Sequence, residues 1–570
     1  MGNSISTVSP RTGGGPATVI DSPERIAESY SDYLSDESRY GPATADRLVL
    51  ALDESHVARA LEDATARGGE VTLSAGRTGI VGGAVPARGT LLSLAGMDRI
   101  LGIRKADDRF VVRCEPGITI ADLRERLESG DLAFDADGLD DDERAALAEF
   151  GGGGRSWLYP PDPTEGTAHL GATVATNASG ARSFRYGATR RHVQGLRVVL
   201  ASGDVVDVSR GDCAADGRSF EVRTPSGSFA FDVPSYDMPE TKNAAGYFAR
   251  PGMDLVDLFI GSEGTLGVIT EVRVALTPRP EGVLSALAFF DSDDDAVAFV
   301  RAARGDAGGG RAVDGSPGAD ATRDAGRSGS TVSPLALEYF DSHSLDFLRE
   351  RKAEEGAGSE MPELPVDARA AVLFEQDYVE DDLLDVYEAW EALLAGHGSS
   401  MERTWGGMEA AELARLKALR HGVAEEVNSV IARAKSAHPE MHKVGTDAAV
   451  PPGSLSEMLS FCREVMDESA LRYIIFGHIG DSHVHVNVMP RDPSELRRGK
   501  ELATAIARRA VELGGTVSAE HGIGKLKHDF LRLMYGDEGL REMAAVKRAL
   551  DPAGVLNRGV MFPESLLEAA

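Results

Sequence analysis

The chain has 570 residues, 42% of them apolar, and a formal net charge of −31 at pH 7. This composition indicates a globular protein with enough length for roughly two to four domains. The strong negative charge argues against binding to nucleic acid and against attraction to an anionic membrane surface.

The basic residues are unevenly divided, because only ten of the 60 Lys and Arg residues are Lys. A high carboxylate content combined with few Lys residues is a halophile-like composition. In such proteins a hydrated acidic surface keeps the protein in solution. An acidic docking face for a cationic partner is the alternative. The negative charge is spread through the chain, which favours a solvated surface.

The three cysteines, Cys114, Cys213 and Cys462, are far apart and form no CxxC pair. Neither a disulfide framework nor an iron–sulfur cluster is therefore indicated, and free thiols are typical of a reducing cytosol. No apolar run approaches the roughly 20 residues of a membrane span, and no secretory leader pattern is present. The sequence predicts a cytoplasmic protein, with peripheral membrane attachment through a partner left open.

The N-terminal half begins with residues 1–20, rich in Ser, Thr, Gly and Pro, which predict a flexible tail. A helix is predicted to begin at Pro23 with Ser22 as its cap. Over residues 21–280, short Val, Ile and Leu strands alternate with Gly-rich turns and a few helices. This pattern is typical of an α+β domain.

The C-terminal half is predicted to hold a second domain over residues 281–530, with a low-complexity insertion at 305–333. Apolar periodicity predicts long helices at 381–394 and 409–434. A final helical segment is predicted over 531–570.

Three segments rich in small residues stand in the N-terminal half. Ser74–Pro86 carries four glycines between apolar strands. Backbone N–H groups in such a turn can bind an anion, although a simple hairpin explains this segment alone equally well. Two more segments, 160–187 and 258–270, allow close backbone approach to a large flat ligand. Three segments in this order favour a ligand site over unrelated turns.

A histidine-rich segment, Phe476–Asn487, alternates as a strand does, with His483, His485 and Asn487 on one face and valines on the other. Glu520 and His521 follow later in a Gly-flanked turn. Two or three imidazoles with one carboxylate suit a Zn²⁺ or Mn²⁺ ion that keeps an open position. The pattern predicts a metal site.

Together these motifs resemble those of the FAD-linked oxidases of the vanillyl-alcohol oxidase superfamily, in the branch of D-lactate, glycolate and D-2-hydroxyglutarate dehydrogenases. The resemblance extends from about residue 40 to 562. It implies a two-subdomain FAD-binding domain, then a cap domain with an antiparallel sheet and a C-terminal helical section returning to the FAD domain. It further implies oxidation of a D-2-hydroxy acid, D-lactate first and glycolate next, with electrons passed to a quinone, a cytochrome or an electron-transfer protein. A homodimer is left open.

The resemblance also assigns the cofactor-binding residues, which are Gly76, Arg77, Thr78, Gly79, Gly82, Pro161, Asp162, Gly171, Ala172, Thr176, Asn177, Gly180, Tyr186, Gly187, Glu263, Gly267, Val268, Ile269 and Asn557. Relatives that attach the flavin covalently use a His or Cys in the first loop. This loop has neither, so non-covalent FAD is expected.

For the catalytic cluster, the resemblance makes His478, His485 and Glu520 the ligands of a divalent metal, Zn or Mn, and His521 the general base. It assigns the substrate carboxylate to Arg420 and Lys443. Ser482 and His483 stand where relatives have Gly and Asn. His483 is then either an additional donor near the metal or a hydrogen-bonded strand histidine.

Three other functions compete with this prediction. One is a flavoenzyme similar to alkylglycerone-phosphate synthase, which would share the FAD motifs but not the metal ligands. Another is a non-catalytic flavin-binding subunit of an oxidase complex, which would be expected to lose the metal and base residues. A flavin-free metallohydrolase would leave the N-terminal segments without a purpose.

Overall fold

The computed structural model describes residues 2–568 except 14, 133, 135–138, 153, 155, 226, 306–331, 357–360 and 362. Nearly all of the predicted low-complexity insertion lies outside the described residues. Among the helices of the described residues, none is long and apolar enough to cross a membrane.

The strands are β1 (Ser4–Ser6), β2 (Thr18–Ile20), β3 (Arg47–Leu50), β4 (Val71–Ser74), β5 (Thr90–Ser93), β6 (Ile100–Ala106), β7 (Arg109–Cys114), β8 (Trp157–Leu158), β9 (Val193–Val199), β10 (Val205–Ser209), β11 (Ser219–Thr224), β12 (Gly227–Asp232), β13 (Val268–Ala275), β14 (Thr277–Pro278), β15 (Gly282–Phe290), β16 (Ala336–Phe340), β17 (Ala370–Tyr378), β18 (Thr404–Gly407), β19 (Val444–Gly445), β20 (Tyr473–Gly477) and β21 (His485–Val488).

The α-helices are α1 (Pro23–Ser29), α2 (Glu54–Ala66), α3 (Ile120–Ser129), α4 (Asp141–Gly152), α5 (Leu170–Ala175), α6 (Ser183–Tyr186), α7 (Leu255–Phe259), α8 (Asp293–Arg304), α9 (Ser342–Glu355), α10 (Leu383–Ala395), α11 (Ala410–Lys435), α12 (Leu455–Ser469), α13 (Pro493–Glu512), α14 (His528–Leu550, bent at Gly536) and α15 (Ser565–Glu568).

The first part of the N-terminal half is a four-stranded sheet in the order β2-β3-β5-β4, with β3, β5 and β4 parallel. Helix α2 connects β3 to β4 and buries Val57 and Leu61 against Val71 and Leu92 of the sheet. The glycine-rich loop predicted to bind an anion follows β4. It therefore lies at the carboxyl end of a parallel strand, where ligands of such sheets commonly bind.

The second part is an antiparallel sheet in the order β10-β9-β13-β7-β6. Alternate residues of β13, including Val272 and Val274, are buried in the same large core as Leu170 of α5 and Leu258 of α7. Burial of this apolar area stabilises the sheet by roughly 25 cal/mol per Å². The sheet thereby fixes α5, which lies within the second small-residue segment, and α7, which leads into the third.

The C-terminal half is built on an antiparallel sheet in the order β18-β15-β17-β16-β20-β21-β19. Both of its faces are buried. Ala288 and Phe290 of β15 enter one core, covered by α8, α10, α12 and α13, whereas Leu287 and Phe289 enter the other, covered by α9 and α11. This is the alternation that a strand requires when helices pack on both sides.

The chain then returns to the first sheet. Helix α14 packs in the N-terminal core through Leu540 and Met543, and Leu556 pairs in parallel with Val71 of β4. The α+β fold class with its cap-like antiparallel sheet is confirmed. The division of domains at 280 and 530 stays a prediction.

Several local predictions can be compared directly. Ser22 caps α1, its side chain accepting the N–H of Arg25, and the two predicted long helices correspond to α10 and α11. The N-terminal segment differs from the predicted tail, because β1 pairs in parallel with β11. Strand β1 has only three residues, so a strand-like alternation of apolar and polar residues cannot be recognised there.

Candidate active site

The histidine-rich segment forms a hairpin rather than the single strand predicted. Strand β20 ends at Gly477, a 3-10 turn spans Ile479–Asp481, and β21 begins at His485. The His483 N–H donates to the His478 carbonyl at 3.2 Å, which closes the turn. Glycines at 477 and 480 make the turn possible, since Gly477 has φ of 134° and Gly480 lies against Phe184 of α6.

Glu520 lies at the centre of a cluster of imidazoles. Its Oε2 is 3.2 Å from His478 Nε2, and its Oε1 is 3.2 Å from His485 Nε2 and 3.4 Å from His521 Nε2. Lys242, from a loop of the N-terminal half, donates to Oε2 at 2.9 Å. The predicted metal ligands are therefore brought together from two separate parts of the chain, and Lys242 joins them from a third.

The far nitrogens of two of these imidazoles are fixed by acceptors. Nδ1 of His478 is 2.5 Å from Oε1 of Glu338, and Nδ1 of His485 is 2.9 Å from the Thr446 carbonyl. A carboxylate or carbonyl on one nitrogen, with the other directed to a common point, is the arrangement typical of metal-binding histidines. The geometry fits the predicted ligand roles of His478 and His485.

His521 is held by a second carboxylate. Its Nδ1 lies 3.2 Å from Oδ2 of the buried Asp447, whose oxygens also accept from Lys527 Nζ at 2.8 Å and Ser518 Oγ at 2.6 Å. The His521 N–H donates to the same oxygen at 3.0 Å. Asp447 thus orients both the backbone N–H and the ring of His521. The His521 Nε2 faces Glu520.

His483 is fully buried between the other histidines. Its ring centroid is 4.4 Å from that of His485 and 5.4 Å from that of His478. Its Nε2 lies 3.1 Å from Asp447 Oδ1, yet neither ring nitrogen makes a hydrogen bond of acceptable angle. Burial and the neighbouring His485 lower the pKa of His483 to about 3, so the ring is neutral.

The cluster's charges stabilise one another. Burial disfavours the His478 imidazolium, but the Glu338 and Glu520 carboxylates outweigh it and raise the pKa of His478 to about 9. Burial likewise favours a neutral Glu520, but Lys242 and His478 hold its pKa well below the usual range. Buried ionised groups with perturbed pKa values are typical of functional sites.

The predicted flavin segments converge beside this cluster. Helix α5 and the segment from Gly261 are joined by the Glu263 N–H, which donates to the Ala175 carbonyl at 2.8 Å. Gly180 lies directly against Asp162, where a β-carbon would collide with the Asp162 carbonyl. Around Gly79 and Gly83 of the first loop, an added β-carbon would meet no protein atom within 4 Å. That loop therefore has space for a ligand.

Glu263 and Asn557 connect the segments. Asn557 accepts the Leu73 N–H at 2.8 Å and donates to the Glu263 carbonyl at 2.8 Å. The Glu263 carboxylate accepts the N–H groups of Ile523 and Gly524 at 2.7 and 2.8 Å. The turn that carries His521 is thus bound directly to the third segment predicted for FAD. The N–H of Lys525, which follows the turn, donates to the Val81 carbonyl of the first segment at 2.9 Å.

The remaining predicted residues lie near the site to different degrees. Arg420 of α11 donates through Nε to Glu338 at 3.0 Å. Because Glu338 also contacts His478, it links Arg420 to the cluster. Lys443 is exposed just before β19 and lies outside the compact cluster. Arg77 adopts φ of 57° and its guanidinium covers the Tyr33 ring at 4.5 Å.

Sequence reasoning assigned no role to Lys242, Glu338 or Asp447. Glu338 is a single charged residue within the apolar strand β16. A lone carboxylate inside a buried strand needs a partner, which is a signal that could have been used. Lys242 and Glu520 are 278 residues apart, and no local pattern indicates that they meet.

Two family models match this chain. The model described as "FAD binding domain" matches residues 45–144 and 153–209, and the model described as "FAD linked oxidases, C-terminal domain" matches residues 317–561. The chain belongs to the FAD-linked oxidases. It is an FAD-dependent oxidoreductase, and its fold and its cofactor class agree with the resemblance drawn from the sequence.

Relatives of this oxidase include a "D-lactate dehydrogenase" of Anaerostipes hadrus, 27% identical over 94% of this chain and 94% of that protein. "Glycolate oxidase subunit GlcD" of Bacillus subtilis is 27% identical over 95% of both chains. A solved structure of an alkyldihydroxyacetonephosphate synthase covers 95% of this chain and 83% of its own, with a TM-score of 0.58 at 14% identity. That last likeness concerns the fold alone.

Proposed function

We propose that this oxidase converts a D-2-hydroxy acid to the 2-oxo acid, with D-lactate as the first candidate and glycolate as the second. The printed names of the relatives in Anaerostipes hadrus and Bacillus subtilis support this substrate class. One observation carries the proposal. The turn holding His521 and Glu520 contacts both the imidazole cluster and Glu263, in a segment assigned to FAD.

The residues present fit a divalent cation. His478 and His485 offer two imidazoles, which bind metal in their neutral form, and Glu520 offers one carboxylate. The Nδ1 atoms of both imidazoles are already held by Glu338 and by the Thr446 carbonyl. A cation held here would supply a Lewis acid that lowers the pKa of a hydroxyl group bound to it. Zn²⁺ and Mn²⁺ both accept this donor set.

His521 is proposed to accept the proton of the substrate hydroxyl at Nε2. Asp447 at Nδ1 orients the ring and stabilises the imidazolium that forms, because a buried carboxylate favours the positive charge. Non-covalent FAD held by the N-terminal segments would supply the two-electron acceptor for the hydride on Cα, and a quinone, a cytochrome or an electron-transfer protein is proposed to reoxidise it.

The substrate carboxylate is proposed to bind Arg420. Because Nε of Arg420 donates to Glu338, the terminal nitrogens are the groups proposed to bind the substrate. A guanidinium held in one orientation by a buried carboxylate can bind a second carboxylate bidentately. Lys443 is exposed before β19 and is proposed to act as a point charge toward the same carboxylate.

A non-catalytic subunit is the second candidate, since one relative is named as a subunit. This chain keeps Glu520 and His521 in contact with the other imidazoles, which such a subunit would not need. The likeness to the solved alkyldihydroxyacetonephosphate synthase concerns the fold alone and does not favour that reaction. A cytoplasmic location stays a prediction.

An anaerobic titration tests the proposal. Purified protein should be yellow, and D-lactate or glycolate should bleach the flavin, whereas L-lactate should not; D-2-hydroxyglutarate is the further comparison. His521→Ala should keep its flavin but reduce it about 10²- to 10⁴-fold more slowly. Colourless protein, or a flavin that no hydroxy acid bleaches, would overturn the proposal.

A further inference from the structure

His483 stands out among the buried polar groups of the cluster. Its side chain has no exposed surface, and both ring nitrogens lack a hydrogen bond of acceptable angle. Burying an imidazole without a partner is costly, because the polar nitrogens lose their water. The contact of 3.1 Å between Nε2 and Asp447 Oδ1 offsets this cost at one nitrogen only.

The local backbone holds the ring in this position. Ser482 has φ of 54°, in the left-handed region that favours glycine, and Arg304 Nη1 donates to its Oγ at 2.8 Å. The Val450 N–H donates to the Ser482 carbonyl at 3.2 Å. The turn backbone next to His483 is therefore fixed from two neighbouring elements.

The ligand atoms are already close enough for a common ion. Four groups each offer one ligand atom within 4.8 Å of the other three, namely His478, His483, His485 and Glu520. Ligand atoms around a tetrahedral Zn²⁺ lie about 2.0–2.2 Å from the metal, so they are separated by less than this limit. Closing on one ion would bring the ligand atoms from separations of up to 4.8 Å to roughly 3.5 Å.

We propose that His483 is a fourth protein ligand, so that this chain holds its cation with three imidazoles and one carboxylate. The inference rests on the proposed function, because it takes a cation at His478, His485 and Glu520 as given. A third imidazole favours Zn²⁺ over Mn²⁺, since Mn²⁺ prefers oxygen donors. The substrate hydroxyl would then occupy a fifth position, which Zn²⁺ accepts during reactions.

The test measures metal binding rather than turnover. Flavin-loaded protein is stripped with a chelator and titrated with Zn²⁺, Mn²⁺ and Co²⁺, and metal content is read by mass spectrometry and Co²⁺ geometry by visible absorption. His483→Asn restores the residue that relatives carry. It should bind Zn²⁺ at least about tenfold more weakly, lower the ratio of Zn²⁺ to Mn²⁺ affinity, and change the Co²⁺ spectrum.

The matched control is His56→Asn, which replaces another buried histidine, whose Nδ1 accepts the Leu52 N–H in α2. It should leave metal binding unchanged. X-ray absorption at the zinc edge of the wild-type protein gives a second measurement, should His483→Asn fail to fold. Three imidazoles are expected there, and two would overturn the inference.

The outcomes separate the two proposals. If the wild-type protein binds none of the three ions, the proposed metal and this inference both fall. If it binds one ion and His483→Asn binds it with the same affinity and spectrum, only this inference falls. His483 would then be a structural histidine paired with Asp447.

Discussion

Asp447 Oδ2 lies 3.2 Å from His521 Nδ1. Burial alone would lower the pKa of His521, but the Asp447 carboxylate outweighs it and raises that pKa above its ordinary value. Because Nδ1 is occupied by Asp447, the proposed transfer of the substrate proton to His521 would occur at Nε2. The pH dependence of turnover would then report this contact.

Asp447→Asn should move the acid limb of kcat/KM to lower pH. A neutral amide no longer favours the imidazolium, so the ring becomes a free base at lower pH, although it is also a weaker base. The measurement is anaerobic flavin reduction by D-lactate across pH 5 to 9, with flavin and metal content checked at each point.

Lys527→Gln is the matched variant for this prediction, because Lys527 donates to the same Asp447 oxygen. Loss of its positive charge strengthens the effect of Asp447 on the ring, so the acid limb should move to higher pH. Shifts of both variants in the same direction would contradict the assigned pair.

Glu338→Gln should weaken metal binding by about 10- to 100-fold, as removal of an outer partner of a metal-binding histidine commonly does. The amide still fills the space but no longer accepts the proton on His478 Nδ1 as strongly. Metal affinity is measured by titration of stripped protein. Glu412→Gln, at the start of α11, changes a carboxylate that does not contact the cluster and should leave the affinity unchanged.

Glu263→Gln should remove a pH dependence of stability. Burial raises the pKa of Glu263 from 4.5 to about 7, against the effect of its two N–H donors. Between these values the folded protein keeps a proton that the unfolded chain releases, so the free energy of unfolding falls as pH rises. The loss amounts to on the order of 3 kcal/mol.

Urea unfolding of both proteins at pH 4.5, 5.5, 6.5 and 7.5 checks this prediction. The difference in unfolding free energy between wild type and variant should be greatest at the lowest pH and shrink across the window. A difference that stays constant would show that Glu263 acts only through its hydrogen bonds.

Asp257→Ala should destabilise the N-terminal half by about 3–5 kcal/mol, the cost typical of breaking a buried ion pair. Asp257 accepts from Arg190 at 3.1 Å and from Arg210 at 2.9 Å. The side chains of Asp257 and Arg190 are buried, and that of Arg210 is 12% exposed. Removal of Asp257 leaves two guanidinium groups without their carboxylate. Thermal and urea unfolding measure the change.

The exposed pair of Glu221 and Arg223 provides the comparison. Glu221→Ala should cost no more than about 1 kcal/mol, as surface ion pairs usually do. Equal losses in the two variants would contradict the importance assigned to the buried triad.

Much of the fold could be predicted because its signals are local. Ser22 followed by Pro23 marks the start of α1, and periodic apolar residues mark α10 and α11. The hairpin at 476–488 was predicted as one strand because a period of two continues through its turn. The chain reverses where Gly477 and Ser482 adopt positive φ values, and a sequence pattern does not reveal backbone angles.

The candidate site was predictable only through its motif residues. His478, His485, Glu520 and His521 share recognisable sequence contexts, and the structure brings them together. Lys242 and Glu338 come from loops and strands that meet the cluster only after the whole chain has folded. Their contribution depends on tertiary packing, which no window of sequence contains.

If FAD binds the segments proposed for it, Asn557 delays stable flavin binding until late in translation. Its amide joins Leu73 to Glu263, two residues translated long before it. During synthesis on the ribosome, the N-terminal sheets can form, but the proposed flavin site lacks this link until residue 557 has emerged. The cofactor is therefore expected to bind firmly only after translation has passed that point, so that a nascent chain stalled earlier would be colourless.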